Sequence, residues 1–121
     1  MEKEQKIFDS ELKVLEILWA AGPLTAREIS ARAEEAVGWS KTTTYTVLKK
    51  CVAKGLVERE DPGFLCRPLL SRQDAQRRET RELIDRMYGG RADHLVASLL
   101  EGRALSSQEI SRLRELVEEL S

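Results

Sequence analysis

The chain has 121 residues, of which 41% are hydrophobic, 34% charged and only 5% aromatic. That composition suits one compact domain or two very small ones, with a core of Leu, Val, Ile and Ala rather than of rings. A net charge of −1 and a pI near 5.9 argue against a uniformly basic nucleic-acid binder, so any phosphate contact must come from a local cluster of Lys and Arg.

Met1 to Lys6 is charged and no apolar stretch follows, so neither a secretory signal nor membrane insertion is expected, and a cytoplasmic location is. From Ser10 to Ala21 the residues Leu12, Val14, Leu15, Leu18 and Trp19 recur at three- and four-residue spacing, predicting an amphipathic helix that Gly22 and Pro23 end. Thr25-Ala26-Arg27-Glu28 has the form of a capping box and predicts a second helix from Ala26 to about Ala36, burying Ile29 and Ala33 and broken by Gly38. Ser40 is the next candidate N-cap, for a third helix from Lys41 to about Lys54 that Gly55 closes. Thr44, Val47, Leu48 and Cys51 form its inward stripe, while Thr42, Thr43, Tyr45, Thr46, Lys49 and Lys50 lie mainly off it. Leu56–Glu60 and Phe64–Leu69 then read as two strands joined by an Asp61-Pro62-Gly63 turn, with Pro68 at a strand end or edge. Three helices followed by a hairpin is the order of a winged helix-turn-helix.

Past Ser71 the pattern is helical again: Gln73 to Tyr88, Ala92 to Leu100 and Ser107 to about Leu120, separated by Gly89-Gly90 and Gly102. Their apolar stripes are narrow, consisting of Leu83, Ile84, Met87 and Tyr88, then Leu95, Val96, Leu99 and Leu100, then Ile110, Leu113, Leu116, Val117 and Leu120. Stripes this thin make a poor stand-alone core, so pairing with the same segment of a second chain is expected. The predicted fold is mostly α with a small β-hairpin wing: a winged-helix domain over 1–70 and a helical dimerisation region over 71–121.

The chemistry of enzymes finds little footing. His94 is the single histidine, and there is no glycine-rich phosphate loop, no His-Glu-x-x-His helix and no paired-cysteine zinc pattern. No metal and no cofactor is expected, and Cys51 and Cys66 read as buried free thiols. The third helix carries the functional signal. No acidic residue occurs from Ser40 through Gly55. Threonine hydroxyls and methyls suit base edges in a major groove, and Lys49, Lys50 and Lys54 suit phosphates. The wing tip is acidic, so Arg59 and Arg67 beside it are its candidate backbone contacts. Two other classes fit parts of this pattern: a winged helix that docks a protein instead of DNA, and a regulator with a small-molecule pocket near the dimer helices and Trp39.

The run Trp39-Ser40-Lys41-Thr42-Thr43-Thr44-Tyr45-Thr46-Val47-Leu48-Lys49-Lys50, closing on Lys54-Gly55-Leu56-Val57, resembles the recognition helix of the penicillinase-repressor (BlaI/MecI/CopY) family. Glu11-Leu12 with Val14-Leu15 and Leu18-Trp19 is similar to that family's first helix, and Met87-Tyr88-Gly89-Gly90 to the glycine pair between its C-terminal helices. The likeness runs from about Ser10 to Leu120. It implies a bacterial repressor that binds a palindromic operator in double-stranded DNA as a homodimer. Matched by position, Thr42, Thr43, Tyr45 and Thr46 would face the bases, while Ser40 and Lys50 would hold the backbone; Lys41 and Lys49 on the same helix are further candidate backbone contacts. Tyr45 stands where β-lactamase repressors carry arginine, so their operator sequence does not transfer. The resemblance also implies a membrane sensor-protease as inducing partner, with Ser98-Leu99 at the position of the relatives' Asn-Phe bond. The copper-responsive branch's Cys-x-Cys pair is missing, since no cysteine follows Cys66.

Overall fold

The computed structural model describes residues 6–121; Met1 to Gln5, on which the reading of the charged start partly rests, lie outside the described residues. The elements are α1 (Asp9–Ala21), β1 (Leu24–Thr25), α2 (Ala26–Val37), α3 (Lys41–Ala53), β2 (Val57–Glu60), β3 (Leu65–Pro68), α4 (Arg72–Tyr88), α5 (Ala92–Glu101) and α6 (Ser107–Glu119). They form two compact units, Met1–Glu79 and Thr80–Ser121, which divide within α4.

In the first unit the inward faces of α1, α2 and α3 bury Val14, Leu15, Leu18, Ile29 and Leu48 in one cluster, which Leu56, Val57 and Cys66 of the wing close from the side. The capping box expected at Thr25 forms: its hydroxyl accepts from the Glu28 amide at 3.2 Å, and the Glu28 carboxylate accepts from the Thr25 amide at 3.0 Å. The Thr25 amide and the Thr25 hydroxyl, which also donates to this carboxylate at 3.0 Å, hold the exposed Glu28 carboxyl below its ordinary pKa. The sheet has the order β1-β3-β2 and is antiparallel throughout. Its third strand, β1, is a finding beyond the hairpin that the sequence predicts. Two residues carry no alternation to read, yet Leu24 pairs with Cys66 and ties the start of α2 to the wing. Pro68 ends β3, where its missing N–H is harmless.

At the foot of α3, Lys54 turns inward. Its ammonium donates to the Glu11 carboxylate at 2.8 Å and to the Lys6 carbonyl at 2.9 Å, and lies 3.9 Å from the centroid of the Phe8 ring. Glu11 is fully buried; its Oε1 also accepts from the Phe8 amide at 2.8 Å, while Oε2 has no partner. This corrects the expectation that Lys54 serves phosphate. The ammonium is already committed to a buried carboxylate, which it could leave only by stranding that charge.

The start of α4 belongs to the same unit. Trp19 Nε1 donates to the Leu70 carbonyl at 2.9 Å, the Arg72 guanidinium lies 5.4 Å from the Trp19 ring, and Ala75 is buried.

The second unit is different in kind. Neither α5 nor α6 buries a single side chain, and Ile84 of α4 is the unit's one buried hydrophobic residue. Ile84 is therefore interior to its own chain, which corrects its expected place among dimer-facing residues. Met87, Val96, Leu99, Leu100, Leu116, Val117 and Leu120 are exposed, whereas Leu83, Tyr88, Leu95, Ile110 and Leu113 are half-buried. Local bonds shape these helices: Ser106 and Glu109 form a reciprocal capping box at α6, and Arg81–Asp85 and Arg86–Glu82 are exposed pairs of modest worth.

The Lys54–Glu11 pair generates a prediction. Lys54→Met leaves a buried carboxylate without a counter-charge and should cost about 3–5 kcal/mol in urea unfolding. Adding Glu11→Gln, which still accepts from Phe8, should restore most of that loss; a double variant as unstable as the single one would show that the ion pair is not the cause.

Candidate nucleic-acid interface

The third helix is set by its two ends. At the start, the Ser40 hydroxyl accepts from the Thr43 amide at 3.2 Å, leaving the first-turn amides of Lys41 and Thr42 without helical acceptors. At the end, Gly55 takes φ of 74°, and Leu56 N donates to Cys51 O at 2.9 Å while Gly55 N donates to Val52 O at 3.1 Å. That pair of bonds is a Schellman motif, which turns the chain sharply into β2. Before the helix, Gly38 at φ 71° ends α2 and makes the short turn between the two helices.

Between these ends, Thr44, Val47, Leu48 and Cys51 point inward and are buried, as the spacing predicts. Thr42, Thr43, Thr46, Lys49 and Lys50 are exposed, together with Ser40 and Lys41 at the start. The hydroxyls of this face are not equivalent. The Thr46 hydroxyl donates to the Thr42 carbonyl at 2.9 Å, so toward an outside partner it offers an acceptor oxygen and a methyl group. Thr43 Oγ1 accepts from the Ser40 hydroxyl at 3.1 Å, which leaves its own O–H to donate outward. Thr44 is turned away and its hydroxyl donates to the Ser40 carbonyl at 3.2 Å.

Tyr45 behaves differently from its neighbours. Its ring is half-buried and meets Phe64 of the wing edge-on, with centroids 6.0 Å apart and planes at 87°, and Lys41 Nζ lies 5.6 Å from its centroid. The structure therefore brings Tyr45 together with the wing rather than fully outward with the threonines. Trp39, just before the helix, packs half-buried against the core. Arg59 and Arg67 stand on β2 and β3 as expected, but each already has an acidic partner: Arg59 Nε lies 3.2 Å from Asp61 and Arg67 Nη1 lies 2.7 Å from Glu60. The sequence pattern predicts Phe64 as the first residue of a strand. It lies outside β3, with φ of 52° and its carbonyl accepting from the Ala26 amide at 2.9 Å. The available signal was the Pro-Gly pair before it, which marks a turn but not its length.

A three-helix unit with a β-hairpin wing and an exposed hydroxyl- and lysine-rich third helix defines a winged-helix DNA-binding fold. Residues 7–119 match the Penicillinase repressor family, and the chain belongs to it. It is 27% identical over 121 residues to the penicillinase repressor of Bacillus licheniformis, covering 98% of this chain and 94% of that protein. It is 26% identical over 117 residues to the methicillin resistance regulatory protein MecI of Staphylococcus aureus, covering 95% of each. Among solved structures, the DNA-binding domain of the repressor BlaI superposes with a TM-score of 0.54 at 26% identity, covering 61% of this chain and 93% of that one. Bacillus licheniformis BlaI in monomeric form, in complex with the blaP half-operator, gives a TM-score of 0.51 at 26% identity with the same coverage. The family is one of transcriptional repressors, not of enzymes. No helix among the described residues is long and apolar enough to cross a membrane.

Cys51 on the inner face of α3 and Cys66 on β3 are both buried free thiols. Burial, with the nearby Glu11 charge adding to it, pushes Cys51 up to about 12, and burial pushes Cys66 up to about 11. Neither should react with a thiol-specific disulfide reagent at neutral pH until denaturant unfolds the first unit. Because the unfolded chain gives up these protons first, the thiol contribution to stability is fully present below about pH 8.5 and declines as pH rises from there. Unfolding midpoints measured up the alkaline range against a Cys51→Ala, Cys66→Ala variant check the sign, the variant being expected to lose less.

Proposed function

We propose that this protein is a cytoplasmic transcriptional repressor that binds a palindromic operator as a homodimer, with one winged helix per half-site. The observation that carries the reading is the outward face of α3, where exposed hydroxyls and ammonium groups run with no carboxylate among them. The solved complex of a relative with a half-operator supports it. Thr42, Thr43 and Thr46 face the bases: Thr43 donates to an acceptor such as guanine O6 or thymine O4, while Thr46 accepts from an exocyclic amine or touches a thymine methyl. Tyr45 reaches the groove only at its exposed edge. Ser40, Lys41, Lys49 and Lys50, with the first-turn amides of α3, lie along the phosphates. Arg59 and Arg67 join them from the wing.

The dimer is made by the second unit. Helices that bury nothing of their own and expose Val96, Leu99, Leu100, Leu116 and Val117 gain a core only when a second copy supplies it. Release of the operator acts on the same unit, through a membrane sensor-protease or an effector. The Ser98–Leu99 bond lies inside α5, with the Ser98 carbonyl accepting from the Gly102 amide at 3.0 Å. A protease acting there must first unwind that turn.

Selection from a pool of randomised duplexes, followed by titration of the recovered sequence, tests the DNA reading; recovery of no preferred sequence would favour a protein-docking role. On the recovered duplex, Thr43→Ala with Thr46→Ala should weaken binding by about 1–3 kcal/mol per lost base contact and relax preference at those base pairs. Lys50→Ala should weaken all duplexes alike and flatten the salt dependence by about one unit of slope. Equal losses on selected and random duplexes for the threonine variant would remove it from base reading.

Val96→Glu with Val117→Glu places charge on two side chains already exposed in the single chain. The mass seen by light scattering should halve and affinity for the full palindrome should fall by roughly a hundredfold. Unchanged mass would place the dimer contact elsewhere.

A further inference from the structure

We infer that Phe64 is a positioning residue for DNA binding, holding the wing's Arg59 and the third helix's Tyr45 on one aromatic pivot so that wing and helix meet the duplex as a single piece. The inference rests on the operator reading and goes beyond it by assigning a role to a side chain that reads no base.

Three contacts converge on this residue. The Arg59 guanidinium carbon lies 3.8 Å from the Phe64 ring centroid, the Tyr45 ring meets Phe64 edge-on at 6.0 Å, and the Phe64 carbonyl accepts from the Ala26 amide at the start of α2. One residue thus joins β2, α3 and α2. It does so in a left-handed backbone conformation, φ 52°, that disfavours a side chain. The ring is half-buried and packs against the edge of the core, so these contacts and that packing together hold the conformation.

The arrangement leaves its cations usable. Asp61 accepts from Arg59 Nε at 3.2 Å, and the terminal guanidinium nitrogens have no protein acceptor among the described residues. A guanidinium lying on an aromatic ring still presents donors along its edge, which is the geometry for a phosphate. Lys41, over the far ring at 5.6 Å from the Tyr45 centroid, is similarly placed at the start of α3. Two cations therefore ride on one pair of rings. Moving the pivot moves the wing's phosphate contact relative to the helix in the groove.

The experiment measures binding of the full-length dimer to two duplexes of equal length, the selected palindrome and a random sequence, across a range of salt. Phe64→Ala and Phe64→Leu should each weaken binding to both duplexes several-fold, and should flatten the salt slope by about one unit, as Arg59→Gln alone should. In the Phe64→Ala, Arg59→Gln double variant the second change should add little, because the first has already released the guanidinium. Phe64→Tyr, which keeps the ring, should restore the wild-type slope. Thermal unfolding of the same variants separates this from a loss of fold, and Phe64→Leu carries the test if Phe64→Ala does not fold. Wild-type slope in the Ala and Leu variants, or full additivity with Arg59→Gln, overturns the inference while leaving the operator reading intact. Failure of the unmodified protein to bind either duplex overturns both.

Discussion

Beyond the apolar cluster that seats its inward face, α3 is tied down by a single buried charge pair. Lys54 caps the end of the helix, and its ammonium is held by Glu11 of α1 and by the chain at Lys6 and Phe8. Buried ion pairs are seldom a net source of stability compared with apolar residues of the same size, but removing one partner strands the other charge. Here the pair ties the end of α3 to the first turn of α1. Ser40 at one end and the Schellman turn at Gly55 at the other define the helix that is held.

The opposite flank of α3 is held by softer contacts. Tyr45 touches Phe64, and Phe64 carries the guanidinium of Arg59. Between a buried ion pair on one side and an aromatic pair on the other, α3 has little freedom to rotate. The short strand β1 adds a tie that neither helix nor hairpin supplies, because Leu24 pairs into the same sheet as the wing. The second unit has no comparable interior, and its helices are shaped by caps and exposed ion pairs rather than by packing.

The helices of the first unit were legible because their apolar spacing, caps and glycine stops agree with one another. Thr25 with Glu28, and Ser40 with Gly55, each mark a boundary twice over. What escaped the sequence are contacts between residues far apart in it. Glu11 reads as an ordinary first-turn acid and Lys54 as part of a basic cluster; only folding across 43 positions shows that they neutralise each other. Tyr45 lies off the inward stripe, beside the exposed threonines, yet the chain reversal at Gly63 and Phe64 brings a second ring to meet it. Ile84 was indistinguishable from its stripe neighbours because spacing reports which face is apolar, not whether the covering surface comes from the same chain.

The wing carries its own counter-ions. Arg59 with Asp61 and Arg67 with Glu60 leave the hairpin nearly neutral, with Glu58 tipping it toward negative. Attraction to arbitrary genomic DNA grows with the number of unneutralised cations that can displace condensed salt. A hairpin balanced in this way offers only the guanidinium edges that Asp61 and Glu60 leave open, so its share of that indiscriminate term is about one contact per arginine rather than a stripe of charge. On the operator reading, discrimination among sequences then falls to α3, whose outward hydroxyls stand clear of any carboxylate.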